Sequence, residues 1–282
     1  MAETHPRSLA IALVQLRSPD NQAAALAHAA PLVREAAVGG AKLILTPEGT
    51  NILERSRDKR LAAVVRQDED SCVNGLRDLA AELGVWLLIG SAIVKGDDPG
   101  DQRAANRSIL IGPDGAVVAS YDKLHVFDVD LPTGERHRES ESIRPGEQAV
   151  VAKTPWGGLG LTVCYDVRFA HLFRALAQAG ADMISVPAAF TVPTGMAHWE
   201  LMLRARAVET GAFVMAPAQG GAHADGRNTW GHSLVVAPWG EVIARLDHDE
   251  PAVLHAALDL DQVSRARAAI PQLLHERSFV GP

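Results

Sequence analysis

Short apolar runs with strand character alternate with helix-patterned stretches along this chain of 282 residues, with no low-complexity segment between them. That alternation constrains the fold most, because interleaved strands and helices bury their apolar faces best in an α/β architecture around a sheet core. "SLAIALVQL" (8–16) reads as a first buried strand, and the alanine-rich stretch 21–38 as a helix that Pro31 should kink or divide. "AKLILTPE" (41–48) is a second strand, stopped by Pro47. Residues 70–83 suit a helix with Cys72, Leu76, Leu79 and Leu83 on one face, which assigns Cys72 to packing.

"VWLLIGSAIV" (85–94) and "RSILIGPDGAVVASYDK" (107–123) are strands, the second a hairpin about Pro113-Asp114-Gly115. After a polar loop at about 128–147 come strand 157–164, helix 168–179 and strand 182–187. Helix 196–210 and strands near 212–217, 231–237, 241–246 and 252–259 complete the pattern. "LIGPDGAVVASYD" (110–122) and "VVAPWGEVIARLD" (235–247) share a Pro-x-Gly turn, so each half is expected to carry a similar hairpin. The expectation is one α/β domain over residues 1–282 with a mixed sheet core.

Apolar residues make up 47% and charged ones 22%, the balance of a soluble globular protein with a large core. No apolar run of about 18 residues occurs, so no membrane span is expected. A net charge of −7 without a Lys/Arg block disfavours nucleic acid as a partner. "MAETHPRSLAIALVQL" has no basic start followed by an uninterrupted apolar segment, so secretion is not expected. The two cysteines, Cys72 and Cys164, form neither a disulfide framework nor a C-x-x-C pair, which fits a reducing cytoplasm.

Common signatures fail. Eleven histidines show no metal-ligand spacing, so no metal is expected. "GHSLV" (231–235) lacks the final glycine of a nucleophile elbow and leaves Ser233 an ordinary strand serine. "GGLGLTV" (157–163) lacks the third glycine of a dinucleotide fingerprint and leads into a strand, and there is no phosphate-binding loop. No cofactor is expected.

Four residues stand out. Glu48 follows a strand and a proline, Lys123 closes a hairpin strand, Glu139 lies in a polar loop, and Cys164 ends a strand in "LTVCYDVRF". Singly, each has an ordinary reading: strand-end carboxylates and lysines are usually solvated, and free cysteines usually pack. Together they supply a base, a cation and a nucleophile, which is what thiol-based amide hydrolysis needs.

The sequence resembles the nitrilase superfamily of carbon–nitrogen hydrolases, through "LTPEG" (45–49), "YDKLH" (121–125) and "LTVCYDVRF" (161–169). Within it, "KLHVFDVDLP", "RESESIRPGE", "PAAFTVPTGMAHWELMLRARAVET" and "WGHSLVVAPWGEVIA" are most similar to the Nit branch of deaminated glutathione amidases and ω-amidases. The resemblance implies a four-layer α-β-β-α sandwich assembling as a homodimer or larger homo-oligomer. It assigns Glu48 as base, Lys123 as oxyanion stabiliser and Cys164 as nucleophile. It places a second family glutamate on Glu139, which spacing alone does not choose over Glu135 or Glu141. "TPEGTN" departs from the family's usual residues after the glutamate, which leaves the local pocket shape open.

A thiol near its free pKa is only a few per cent thiolate at neutral pH. Glu48 would take the thiol proton and return it to departing ammonia, while Lys123 and the backbone N–H of Tyr165 hold the developing oxyanion. Water would then hydrolyse the thioester. A papain-like alternative would need His125, His198 or His232 as base, and no spacing favours any of them. The resemblance also places substrate contacts at Arg168, Phe190 and Thr194. A guanidinium four residues from the nucleophile suits a carboxylate on the substrate, since its planar fork can make two hydrogen bonds.

The expected activity is thus a cysteine-dependent amidase acting on a small carboxylate-bearing amide, with that amide and water as its partners. "APAQGGAHADGRNTWGHS" (216–233) leans toward the deaminated glutathione amidases. Alternatives are an ω-amidase on 2-oxo acid amides, a nitrilase or N-carbamoyl hydrolase, and a pseudoenzyme that only binds a partner.

Overall fold

The computed structural model describes residues 8–131 and 134–281. The first seven residues, on which the leader reading partly rests, and 132–133 of the polar loop lie outside the described residues. The first half runs β1 (Ser8–Gln15), α1 (Gln22–Val38), β2 (Leu43–Leu45), α2 (Arg57–Ala63), α3 (Ser71–Leu83) and β3 (Trp86–Lys95). It ends in the hairpin β4 (Ala104–Ile111) and β5 (Val117–Asp122). A ribbon of β6 (Asp128–Asp130) and β7 (Arg136–Arg138) and a 3-10 turn at Glu139–Glu141 lie between the halves.

The second half runs β8 (Val150–Thr154), β9 (Gly157–Leu161), α4 (Ala170–Gln178), β10 (Ala181–Ser185), α5 (Val192–Thr210) and β11 (Phe213–Ala216). A ribbon of β12 (Gly220–Ala222) and β13 (Asn228–Trp230) precedes the hairpin β14 (Leu234–Val236) and β15 (Val242–Arg245). Then β16 (Ala252–Asp259) returns to pair with β1, and α6 (Asp261–Ala269) follows.

Two six-stranded sheets result, ordered β16-β1-β2-β3-β4-β5 and β15-β14-β11-β10-β9-β8. In each, three consecutive strands are parallel and the flanking strands antiparallel, so the halves follow one plan. The hairpins anticipated from the shared Pro-x-Gly turn occupy corresponding edges. Gly115 and Gly240, at φ 77° and 96°, sit where a side chain would be strained, and equivalent bonds close both turns: Gly112 N–H to Ala116 O at 2.9 Å, Ala237 N–H to Glu241 O at 2.8 Å.

Alternation along β1 shows how the layers form. Leu9, Ile11 and Leu13 enter a core shared with Leu161, Met183 and Val214 of the other sheet, while Ala12 and Val14 face Ala25, Ala29 and Val33 of α1. Phe173 and Leu176 of α4, with Trp199 and Leu203 of α5, cover the second sheet. Strands buried on both faces read as continuous apolar runs, as these do. The architecture is the expected α-β-β-α sandwich.

Several local expectations are corrected. Pro31 does not divide α1, because it lies on the exposed side, where the carbonyl it leaves unpaired meets water rather than the apolar stripe. The strand expected at 41–48 is regular only over Leu43–Leu45, and the one at 231–237 only over Leu234–Val236. Ser233 therefore precedes its strand, and its hydroxyl and N–H both donate to the buried Gln15 side chain. The strand at 157–164 stops at Leu161, so Cys164 lies beyond it. The helix expected at 196–210 starts at Val192 with Pro193 in its first turn, where proline loses nothing. The periodicity also missed α2, β8 and α6 and the two ribbons, β6–β7 inside the loop expected at 128–147 and β12–β13, all of them short or half-exposed.

Candidate active site

Glu48 follows β2 in a tight turn. Thr50 Oγ1 donates to Pro47 O at 2.7 Å, and the Gly49 N–H to Ser91 Oγ at 2.9 Å. Gly49 has φ 66°, and a side chain there would press on the Ile52 carbonyl and Leu53. The buried Gln219 donates to the Glu48 carbonyl at 3.0 Å. The carboxylate is thereby aimed inward.

Lys123 immediately follows β5, and its ammonium is almost fully buried, at 1% exposure for the residue. It donates to Glu48 Oε1 at 2.8 Å and to Glu139 Oε2 at 2.9 Å. Asn106 of β4 donates through Nδ2 to Glu48 Oε1 at 3.0 Å and Glu139 Oε1 at 3.2 Å. Glu139 Oε2 also accepts from the Phe127 N–H at 2.6 Å. Of Glu135, Glu139 and Glu141, it is Glu139 whose carboxylate meets the lysine.

Cys164 opens a 3-10 turn over Cys164–Arg168. Its φ is 50°, uncommon for a residue with a Cβ, and its N–H donates to Pro187 O at 2.9 Å. The thiol and the Glu48 carboxylate influence each other's protonation, and Glu48 Oε2 accepts from the Ala189 N–H at 3.0 Å. Tyr165 is the second residue of this turn, where backbone N–H groups lack acceptors within the helix.

Burial and charge set the resting protonation state. Burial alone would raise the Glu48 carboxyl, but the Lys123 charge and the bonds from Lys123, Cys164 and Asn106 bring it below its ordinary value. Burial opposes the Lys123 charge, yet Glu139 and Glu48 hold its pKa well above normal. Burial, then the Glu48 charge, pushes the Cys164 thiol well up against the pull of Lys123. The site rests as carboxylate, ammonium and neutral thiol.

The turn is tied to the lysine loop by Asp166, fully buried. Its Oδ2 accepts from Tyr121 Oη at 2.7 Å and the Val163 N–H at 2.8 Å. Its Oδ1 accepts from the His125 N–H at 3.0 Å and lies 2.7 Å from His125 Nδ1. His125 is thus bound to Asp166 and stacked on Phe169 at 3.5 Å between ring centroids. His198 Nδ1 faces Arg168 at 3.3 Å, and His232 Nδ1 lies 2.6 Å from Trp230 O. The Cys164 thiol is influenced by Glu48 and Lys123, while these three histidines have partners of their own.

Arg168 ends the 3-10 turn with its guanidinium 5.7 Å from the Phe190 ring centroid and 5.9 Å from that of Tyr165. Among the described residues no carboxylate pairs with it, since Asp166 is engaged elsewhere. Phe190 is buried against Trp199 at 4.8 Å between centroids. Thr194 Oγ1 lies 2.8 Å from Thr191 Oγ1, so its hydroxyl is shared with the start of α5.

Asn106, Asp166 and Gln219 escaped the sequence reading. Asn106 carried a weak signal as a polar residue opening an apolar strand run, and Asp166 as an acid two residues past the cysteine.

The carbon-nitrogen hydrolase family model matches residues 10–268. The chain belongs to that family. It is 39% identical over 269 residues to the deaminated glutathione amidase of Yersinia enterocolitica, covering 95% of this chain and 92% of that protein. Its fold is similar to the NitFhit protein of C. elegans, with a TM-score of 0.86 and 34% identity over 96% of this chain and 65% of that longer one. It also matches Nit3 of Saccharomyces cerevisiae, a member of branch 10 of the nitrilase superfamily, with a TM-score of 0.83 and 30% identity over 94% of each chain. This carbon-nitrogen hydrolase is an amidase acting on carbon–nitrogen bonds other than peptide bonds, as its motifs implied. Among its described residues no helix is long and apolar enough to cross a membrane, and no cluster of three or more His, Cys, Asp or Glu residues could hold a metal.

Proposed function

We propose that this amidase cleaves a small amide bearing a carboxylate away from the scissile bond, with deaminated glutathione as the leading candidate. The observation that carries this reading is Arg168, a guanidinium at the end of the nucleophile turn without a carboxylate partner among the described residues. Cys164 Sγ attacks the amide carbon as Glu48 takes the thiol proton, so no free thiolate accumulates. Lys123 and the Tyr165 N–H hold the oxyanion, a donor of this kind being worth about 3–4 kcal/mol of barrier. Glu48 then returns the proton to the leaving nitrogen: ammonia from a primary ω-amide, or a peptide amine from deaminated glutathione. Water activated by Glu48 releases the acid from the thioester, and Glu139 holds Lys123 in place.

On this reading residues 1–282 work as one domain, in a reducing cytoplasm, as a homodimer or larger assembly. The exposed Trp239, Ile270 and Leu274, which line one cavity with Val208, support assembly. The test is turnover of deaminated glutathione, a 2-oxo acid ω-amide, a nitrile and an N-carbamoyl acid by wild type, with product acid quantified. A clear preference for deaminated glutathione is expected. Preference for the ω-amide, the nitrile or the carbamoyl compound overturns deaminated glutathione as the substrate, and turnover of none of the four overturns the proposed substrate class.

A further inference from the structure

We infer that Asn106 is a positioning residue of the reaction: with Lys123 it fills one oxygen of the Glu48 carboxylate, so that the thiol proton moves to the other, Oε2. The inference rests on the proposed roles of Glu48 as base and Cys164 as nucleophile, and deepens them.

Asn106 lies on β4 and is 2% exposed. Its main chain and its side chain both reach the site. The carbonyl accepts from the Lys123 N–H at 2.9 Å, which ties the lysine's backbone to this position. The side-chain amide carries two N–H bonds, and both go to carboxylates: Glu48 Oε1 at 3.0 Å and Glu139 Oε1 at 3.2 Å. The Lys123 ammonium reaches the same two oxygens, at 2.8 and 3.1 Å. Ammonium and amide therefore bridge the same pair of carboxylates.

The acceptor end of the same amide is treated differently. Oδ1 is buried with no hydrogen-bond partner among the described residues. A side chain kept only for the fold has every reason to satisfy its acceptor, since a bare buried one costs stability. This amide leaves its acceptor bare and aims both donors at the carboxylates. Charge explains why an amide stands here. Glu48, Glu139 and Lys123 already carry one negative charge in excess, so a third carboxylate would be repelled. A second cation would hold Glu48 too tightly for it to serve as a base. A neutral double donor avoids both.

An ionised carboxylate offers about four acceptor positions, two on each oxygen. Lys123 and Asn106 take both on Glu48 Oε1. On Oε2 the Ala189 N–H takes one, at 3.0 Å, and the other is open to the reaction. The proton of Cys164 Sγ thus passes to Oε2 as the sulfur–carbon bond forms, and goes from there to the departing nitrogen. Besides Asn106, the groups that act on Glu48 are Lys123 and Cys164, with Glu139 across the lysine.

The test is the pH dependence of Cys164 alkylation by iodoacetamide in wild type, Asn106→Leu and Glu48→Gln, each checked for foldedness by circular dichroism. It needs no substrate. Wild type should show an acid limb set by protonation of Glu48, and Glu48→Gln should lose it. Asn106→Leu keeps the branching of the side chain and removes both donors, which raises the carboxyl pKa. Its limb should move up by about one pH unit, the scale of one hydrogen bond to a charged group. With deaminated glutathione as substrate, kcat should fall by about tenfold and KM hold within about twofold, because Asn106 touches the base and not the substrate. A limb that persists in Glu48→Gln refutes the base assignment itself. A limb lost in Glu48→Gln but unmoved in folded Asn106→Leu keeps Glu48 as base and overturns the role of Asn106. Should Asn106→Leu not fold, Asn106→Val, smaller and suited to a strand, decides by the same limb. If wild type leaves deaminated glutathione intact, the substrate reading fails while the alkylation limb still decides this inference.

Discussion

Tyr121 and Asp166 are joined by a 2.7 Å hydrogen bond, which pins the strand end before Lys123 to the turn that carries Cys164. Asp166 has four donors around it, and Tyr121 Oη also accepts from the Leu124 N–H at 3.1 Å. Tyr121→Phe leaves a buried carboxylate one donor short and strands one amide, a loss of about 1–3 kcal/mol. Asp166→Ala frees four donors at once and should destabilise more. Urea denaturation measures both. Alkylation of Cys164 should also slow in Tyr121→Phe protein that remains folded, because the turn loses its register. An unchanged alkylation rate would show that the bond holds the fold alone.

How much of this was legible depends on the interaction. The strands of both sheets show as apolar runs because they are buried on two faces. Glu48, Lys123 and Cys164 sat in motifs whose spacing carries their family. Asn106 and Gln219 could not be read, because each acts through a partner far away in the chain: Glu48 is 58 positions from Asn106 and 171 from Gln219. Cys164 was read as a strand end. Its left-handed backbone comes from Pro187 and Asp166 gripping the turn, not from a glycine or a turn motif at that position.

The two cysteines should separate cleanly. Cys72 is fully buried on α3, its thiol pushed up first by burial and then by the Asp70 charge. Cys164 has Glu48. Iodoacetamide should modify Cys164 in folded protein and spare Cys72, with peptide mapping as the readout. Cys164→Ala should abolish turnover, and a tenth of the wild-type rate surviving would sink the thiol mechanism. Cys72→Ala should keep activity and lose about 1 kcal/mol or somewhat more of stability through a small void.

The pH profile follows from the resting charges. The Glu48 pKa is lowered from 4.5, so the carboxylate is present above that range and lost only as pH falls through its depressed value. The Cys164 thiol, raised from 9.0, adds no thiolate below that pH. The value of kcat/KM should therefore be level across neutrality, with an acid limb below about pH 4.5. Stopped assays on protein checked for foldedness by circular dichroism measure it. A limb with a midpoint between pH 6 and 7 would instead make a histidine the base.

His223 should make stability fall on mild acidification. Burial lowers its pKa from 6.5 to about 4, so the unfolded chain binds a proton in that window and the folded chain does not. Its contribution is full above pH 6.5 and is lost as pH falls toward 4, by at most about 1.4 kcal/mol per pH unit. His223→Gln, which cannot titrate, should be less stable at pH 7.5 but show a shallower decline between pH 6.5 and 4.5. Parallel declines for the two proteins would assign the acid sensitivity to other groups.

Arg168 offers the sharpest test of what the site reads. Its Nη2 lies 3.3 Å from His198 Nδ1, an imidazole with no negative charge, which orients the fork without neutralising it. The aromatic rings of Tyr165 and Phe190 flank it, at 5.9 and 5.7 Å from the guanidinium carbon to the ring centroids. A carboxylate docked there gains two parallel charge-assisted bonds, which a lysine ammonium cannot reproduce. Arg168→Lys should thus lower kcat/KM for an ω-amide acid by about tenfold, and Arg168→Ala by more. The rise should lie mainly in KM, because the fork binds a part of the substrate that does not react. The decisive comparison is the acid against its methyl ester in wild type and Arg168→Ala. Discrimination should collapse in the variant; if both proteins prefer the acid equally, the carboxylate is read by another residue.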